Sequence, residues 1–351
     1  MKTRDFTGWQ LLLAVAALLA LTMHNSLQPL WSQFQIGMAQ WTQANQLQAM
    51  TQWAVPAFAA LTGSIFLAPS HEWKMKTLWR RILVPAVLSC IFWWCACAVM
   101  YLQQHYPAEM DPQTFFHCLG LVLTSPANIS YCQMLVSMFL LYPLLRRIAA
   151  EKQVMSYCLL ILFVLNLLLP LLRQVPHISV AMLFFDQLNW GFFRAWAFYL
   201  LLGAYLSKHA LPWQGRLAIY CLGMISTALI IALTSWMTKD GMGYYAEFTG
   251  MHSPFTACQV AAVIVLSREM LGHVRISSLS RRLSGLWMSV PVAFVIHTFT
   301  SRFLPAFSGH VLPYAIVHMI TDAALTLLLI AAFGLLPGFR CLVGDYQAKG
   351  E

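Results

Sequence analysis

The chain has 351 residues, 60% of them hydrophobic and only 9% charged, with a formal net charge of +9. A soluble domain carries about 25% charged residues, so a soluble globular fold is excluded. The positive balance reads as topology charge, attracted to anionic lipid headgroups, and calls for no nucleic-acid partner.

Ten apolar stretches run along the chain, at 8–25, 48–68, 82–102, 131–149, 155–172, 191–207, 214–236, 253–269, 285–304 and 312–335. A helix needs about 17–25 apolar residues to cross a hydrocarbon core about 30 Å thick. Most of the stretches reach that length, with 191–207 and 253–269 at its lower edge. The expected fold is all-α: a polytopic integral membrane protein, a single domain over 1–351, with about ten transmembrane helices in one bundle.

The first stretch has signal-peptide features, with Lys2 and Arg4 ahead of an apolar run from Leu11 to Leu21. The run is followed by Thr22-Met23-His24-Asn25-Ser26, which offers no small-x-small cleavage site, so it reads as an uncleaved first helix. The gap at 26–47 is rich in Gln and Trp, including Gln28, Trp31, Gln33, Gln35, Gln40, Trp41, Gln43 and Gln46. Amide donors beside indole faces suit a sugar surface, and an aromatic belt at the headgroups is the alternative. The segment 115–124 is apolar but too short to span. It is expected to be re-entrant or to lie flat, and in either case to pack on the bundle, because irregular backbone cannot face lipid. The gap at 173–190 repeats the polar-aromatic theme with Phe184, Phe185, Asp186, Gln187, Asn189 and Trp190.

Lysine and arginine sort between alternate gaps. Seventeen fall in the even-numbered gaps and at the termini: Lys2, Arg4, Lys74, Lys76, Arg80, Arg81, Arg146, Arg147, Lys152, Lys208, Arg216, Arg268, Arg275, Arg281, Arg282, Arg340 and Lys349. Only Arg173, Lys239 and Arg302 fall in the odd gaps, and Arg194 lies inside a span. This bias places both termini in the cytoplasm and the gaps at 26–47, 103–130, 173–190 and 237–252 outside.

Several chemistries are excluded. The inner loops are short and carry no GxGxxG, P-loop or GxSxG sequence, so there is no soluble nucleotide-binding domain. No internal repeat supports an inverted-repeat transporter. Six of the nine cysteines, at Cys90, Cys95, Cys97, Cys158, Cys221 and Cys258, lie in spans and behave as small hydrophobes. Cys341 sits in the cytoplasmic tail, where thiols stay reduced. Cys118 and Cys132 fall at the outer side, where a disulfide is conceivable. No set has metal-ligand spacing, so no metal is expected.

Ionisable groups inside spans are costly and are functional candidates by default. His24 lies at the outer end of the first helix. Arg194 is three residues into the sixth, His297 about twelve into the ninth. His318 and Asp322 are four apart in the tenth and therefore share a face; a carboxylate there would orient the imidazole. Asn166 lies in the outer half of the fifth helix. The structural alternatives are a snorkelling Arg194 and interhelical hydrogen bonds for His318 and Asp322.

These residues and the motifs between them resemble the acyltransferase-3 family of bacterial integral-membrane acyltransferases. His24 stands where the family has its first-helix histidine. Val55-Pro56-Ala57-Phe58 and Leu61-Thr62-Gly63-Ser64 resemble an apolar-Pro-x-Phe and Ser-Gly pattern. Leu78-Trp79-Arg80-Arg81-Ile82-Leu83-Val84-Pro85 looks like a basic loop ending in Arg-Ile-x-x-Pro. Leu141-Tyr142-Pro143-Leu144-Leu145 is similar to the fourth helix's ending, and Leu202-Gly203-Ala204-Tyr205-Leu206 to part of the sixth. Phe294-Val295-Ile296-His297 resembles the family's Gly-Ile-Tyr-x-x-His. The sequence departs from the family at Leu13, where the family has Arg, and at Gln10, where it has an acidic residue. Cys132-Gln133-Met134 and Val292-Ala293-Phe294 also depart from the pattern.

The resemblance implies transfer of an acyl group, usually acetyl, from cytoplasmic acyl-CoA to a carbohydrate hydroxyl. Acyl-CoA is then a co-substrate, and no tightly bound cofactor is expected. On this reading Lys76, Arg80 and Arg81 hold the CoA phosphates, His24 is the base with His297 nearby, and Arg194 or a backbone donor stabilises the oxyanion. His318 and Asp322 form a secondary polar pair. The acceptor would be a cell-envelope or exopolysaccharide glycan, the location the bacterial inner membrane, and the surroundings lipid and an envelope-glycan synthesis machinery. A transporter or flippase for a lipid-linked or polymeric sugar, or an accessory subunit of glycan export, is the alternative.

Overall fold

The computed structural model describes residues 6–32, 36–67, 75–79, 83–106, 111–124, 140–172, 195–239, 248–276, 289–301, 303–304 and 307–336. Its helices are α1 (Gly8–Ser32), α2 (Met38–Thr51), α3 (Ala54–Phe66), α4 (Met75–Leu78), α5 (Val84–His105) and α6 (Pro112–Thr124). They continue with α7 (140–150), α8 (Lys152–Leu172), α9 (Ala195–Lys208), α10 (Trp213–Lys239), α11 (Pro254–Leu271), α12 (Ser289–Thr300) and α13 (Val311–Leu335). The only strands among the described residues are two-residue pieces, Phe6–Thr7 paired antiparallel with Arg275–Ile276. Five helices, α1, α8, α10, α11 and α13, are long and apolar enough to cross a membrane. Every predicted span contains a described helix, although only 140–149 of the fourth is described.

The first helix is longer than expected. It passes residue 25 and continues through Pro29 to Ser32. The extra turns persist because they bury apolar surface: Leu27 and Leu30 pack with Val311 and Ala315 of α13, and Trp31 is buried as well. The hydroxyls of Ser26 and Ser32 bond back to the carbonyls of Met23 and Gln28. The expected span at 48–68 is broken at Gln52–Trp53 into α2 and α3.

α1 is the centre of the bundle. The apolar window of α1 is 61% buried, against 22% in α8 and in α10. The outer helices leave large apolar side chains exposed, including Leu160, Met224, Trp236 and Leu328. That is the pattern expected when lipid is the solvent. Lipid gives no hydrophobic drive for helix association, so contact relies on close packing of small residues. α3 and α9 supply it with Ala57, Ala60, Gly63, Ala197, Gly203 and Ala204, most of them fully buried.

The short apolar segment at 115–124 forms α6, which packs on α5 through Cys118, Ala98 and Leu102. Its outer face shows Phe116 and Leu121. Asp111 starts this helix by accepting a hydrogen bond from the Thr114 backbone N–H at 2.6 Å. Cys118 is free and buried; Cys132 lies outside the described residues, as do Arg194, Arg80, Arg81 and all of 173–190.

The Gln- and Trp-rich gap does not present its indoles as a sugar platform. Trp31 and Trp41 are buried. Trp31 Nε1 donates to Asn45 Oδ1 at 2.9 Å, and Trp41 Nε1 to the Trp31 carbonyl at 3.0 Å. Both rings lock α1 to α2, because burying an indole with its N–H satisfied outweighs leaving it at the surface.

Candidate functional site

Two polar groups lie between α1, α2, α12 and α13, at one level of the bundle. Thr22 Oγ1 of α1 reaches the Met319 carbonyl of α13 at 3.2 Å. Thr22 is two residues from His24 and Met319 one from His318, so the two helices bring these histidines to a common depth.

The first group surrounds His24, which is half-buried. Its Nε2 is 3.3 Å from Gln48 Nε2, and its Nδ1 is 3.5 Å from Thr51 Oγ1. An amide nitrogen only donates, so this arrangement engages the Nε2 lone pair of His24 and puts its proton on Nδ1. Gln48 Nε2 also donates to Gln28 Oε1 at 2.7 Å. Gln48 is a site residue that the sequence reading missed; its signal was a carboxamide at the start of an apolar span.

The second group centres on Asp322, which is fully buried. Its Oδ2 accepts from His297 Nδ1 at 2.9 Å, and its Oδ1 from Thr300 Oγ1 at 2.5 Å. The sequence reading paired Asp322 with His318 on the same helix. The structure pairs it with α12, where His297 and Thr300, three apart, present two donors from one face. A buried carboxylate needs hydrogen-bond partners, and these two donors supply them. Thr300 was missed; its i,i+3 spacing from His297 was the available signal.

His318 is 2% exposed, and neither ring nitrogen has a hydrogen-bond partner. Tyr314, one turn earlier, packs on it at 4.4 Å between ring centroids, and the His297 ring lies at 6.0 Å and 61°. His297, His318 and Asp322 are the one group among the described residues with the donor set for a metal ion, their ligating atoms lying within 4.8 Å of one another.

The positions that depart from the family pattern have other work. Leu13 is fully buried in the main core. Gln10 Nε2 donates to Ser64 Oγ at 3.2 Å, tying α1 to α3. Asn166 is buried in a π-helical turn at Val164–Leu168, beside an apolar cavity of about 200 Å³ lined by Leu144, Ile148, Leu162 and Leu201.

At the opposite end of the bundle, several of the sorted basic residues close helix C-termini. Lys208 Nζ donates to the Ala149 carbonyl, and Arg268 Nη1 to the carbonyls of Leu206 and His209. Cations there answer the unpaired carbonyls and the helix dipole. Arg216 pairs with Glu269 at 2.6 Å. Lys76 is exposed on α4.

Neither characterised proteins nor solved structures gave a match to the chain. A family model described as an acyltransferase domain does match, over residues 7–339. That match spans nearly the whole length and takes in the apolar helices, both polar groups and the motifs that carry the resemblance, so the chain belongs to the acyltransferase-3 family and is a multi-pass membrane acyltransferase.

Proposed function

We propose that this enzyme transfers an acyl group, acetyl in the simplest case, from cytoplasmic acyl-CoA to a hydroxyl of a cell-envelope glycan. It would act in the bacterial inner membrane, with ten crossings and both termini inside. The observation that carries the reading is the His297–Asp322 bond, in a member of a family whose chemistry is acyl transfer.

A carboxylate that accepts a hydrogen bond from the Nδ1–H of an imidazole leaves Nε2 as the proton acceptor and stabilises the imidazolium that forms. Asp322 holds His297 in that tautomer. Thr300 occupies the second carboxylate oxygen, so the carboxylate cannot swing away from the ring. His297 Nε2 would take the proton of the acceptor hydroxyl as its oxygen bonds to the thioester carbonyl carbon. The C–S bond then breaks, and the thiolate recovers the proton from His297. His24, with its Nε2 already engaged by Gln48, is the poorer base. It fits better as a wall of the acceptor pocket, where Gln28, Gln48 and Thr51 offer neutral donors and acceptors suited to a sugar. Lys76, Arg80 and Arg81 would hold the CoA phosphates at the inner face.

The test is intact-mass analysis of the envelope glycan from cells carrying the wild-type gene, no gene, or the His297→Ala form. Glycan heavier by acyl groups in the wild type alone supports the reading. Identical glycan in all three would sink it.

A further inference from the structure

His318 is the buried group that the mechanism above leaves unused. A neutral imidazole has one donor and one acceptor nitrogen. Both of those of His318 are unbonded, although the residue is 2% exposed. His297, by contrast, has its partner on the neighbouring helix. Buried polar groups are normally satisfied, and an orphan calls for an explanation such as a bound ligand.

Three features say what would satisfy it. Tyr314 packs on the His318 ring at 4.4 Å and restricts its rotation. The His297 ring stands edge-on to it at 6.0 Å. Nitrogen or oxygen atoms of His297, His318 and Asp322 lie within 4.8 Å of one another. Two nitrogens bonded to a single oxygen at about 2.9 Å each are at most about 5.8 Å apart. The 4.8 Å limit on the three side chains is within the reach of one bridging oxygen. Asp322 does not fill the need of His318: its oxygens accept from α12, and neither His318 nitrogen bonds to them.

We propose that His318 is a second catalytic residue, whose N–H hydrogen-bonds the carbonyl oxygen of the acyl donor as that oxygen becomes an oxyanion. This rests on the acyl-transfer reading above. As the acceptor oxygen bonds to the carbonyl carbon, the carbonyl π pair moves onto oxygen, and the His318 N–H is placed to meet that charge. When the C–S bond breaks, the pair returns to re-form the carbonyl and the N–H bond weakens. His297 moves the proton; His318 keeps its own and only stabilises charge. Such a donor acts most strongly in a buried, water-poor site.

The experiment uses full-length protein in native membranes, with isotopically labelled acetyl-CoA and the envelope glycan as acceptor. It compares wild type with His318→Met, which fills the volume without a donor, and His318→Gln, which restores an N–H. The Met form should lose about 10²–10³-fold in kcat with little change in the KM for acetyl-CoA. The Gln form should recover a clear part of that loss. Zinc content is measured on the same wild-type preparation. The proposal is overturned if the Met form keeps wild-type kcat, if Gln and Met fall equally, or if stoichiometric zinc disappears on His318 substitution. A wild type that leaves the glycan unlabelled sinks the acyl-transfer reading and this proposal with it. An active wild type with an equally active Met form sinks this one alone.

Discussion

Gly63 of α3 and Gly203 of α9 let the two helices cross with their backbones in contact. A Cβ at Gly63 would overlap the Leu200 backbone, and one at Gly203 the Ala60 backbone. Both glycines lie in segments that resemble family motifs, and the contact gives those motifs a physical reason: only a residue without a side chain permits this approach.

Gly203→Ala should therefore destabilise the protein by about 1–3 kcal/mol, the usual cost of overpacking a close contact. Gly120→Ala is the control, because the space around Gly120 on α6 is open. It should be neutral or slightly stabilising, since alanine is the better helix former by about 1 kcal/mol. Thermal unfolding in detergent reads both. Equal effects at the two glycines would contradict the close crossing.

His297 and His24 should differ in what glutamine can replace. His297→Gln removes a proton acceptor and should lower acyl transfer by about 10²–10⁴-fold. His24→Gln keeps a hydrogen-bonding amide beside Gln48 and Thr51 and should retain activity within a few-fold of wild type. The reverse order, measured as glycan acylation at equal membrane levels, would make His24 the base.

Replacing Arg80 and Arg81 with Gln, or Lys76 with Gln, should raise the KM for acyl-CoA and leave the KM for the glycan unchanged. The basis is the cluster of Lys74, Lys76, Arg80 and Arg81 within eight positions, which offers charge-assisted bonds to phosphate. If the variants insert normally with an unaltered donor KM, these charges serve topology alone.

His209, between α9 and α10, is held below the ordinary histidine range. Burial is the first cause, followed by the nearby charges of Lys152, Lys208 and Arg268. The unfolded chain takes up this proton near pH 6.5, while the folded protein resists it. The contribution of His209 to stability is therefore intact above that pH and is lost as the pH falls below it, toward the lower folded value. His209→Gln should flatten the decline in melting temperature between neutral and mildly acid pH. An unchanged decline in the variant would assign the acid sensitivity elsewhere.

The helical class and the helix positions were legible in the sequence, because a bilayer-spanning helix must satisfy its own backbone and show about twenty apolar residues. Each predicted stretch contains at least part of a described helix, and five of these helices are long and apolar enough to cross a membrane. The site residues were legible as types: His24, His297, His318 and Asp322 stood out because polar groups in apolar runs are costly. Their partners were not legible. Spacing within one helix suggested His318 with Asp322, and only the packing of α12 on α13 decided that the carboxylate serves His297 and Thr300 instead. The buried indoles of Trp31 and Trp41 and the extra turns of α1 past residue 25 were decided in the same way. Periodicity along a chain reports which face of a helix is apolar. Which neighbour that face meets depends on contacts between residues far apart in sequence, and those exist only once the bundle has formed.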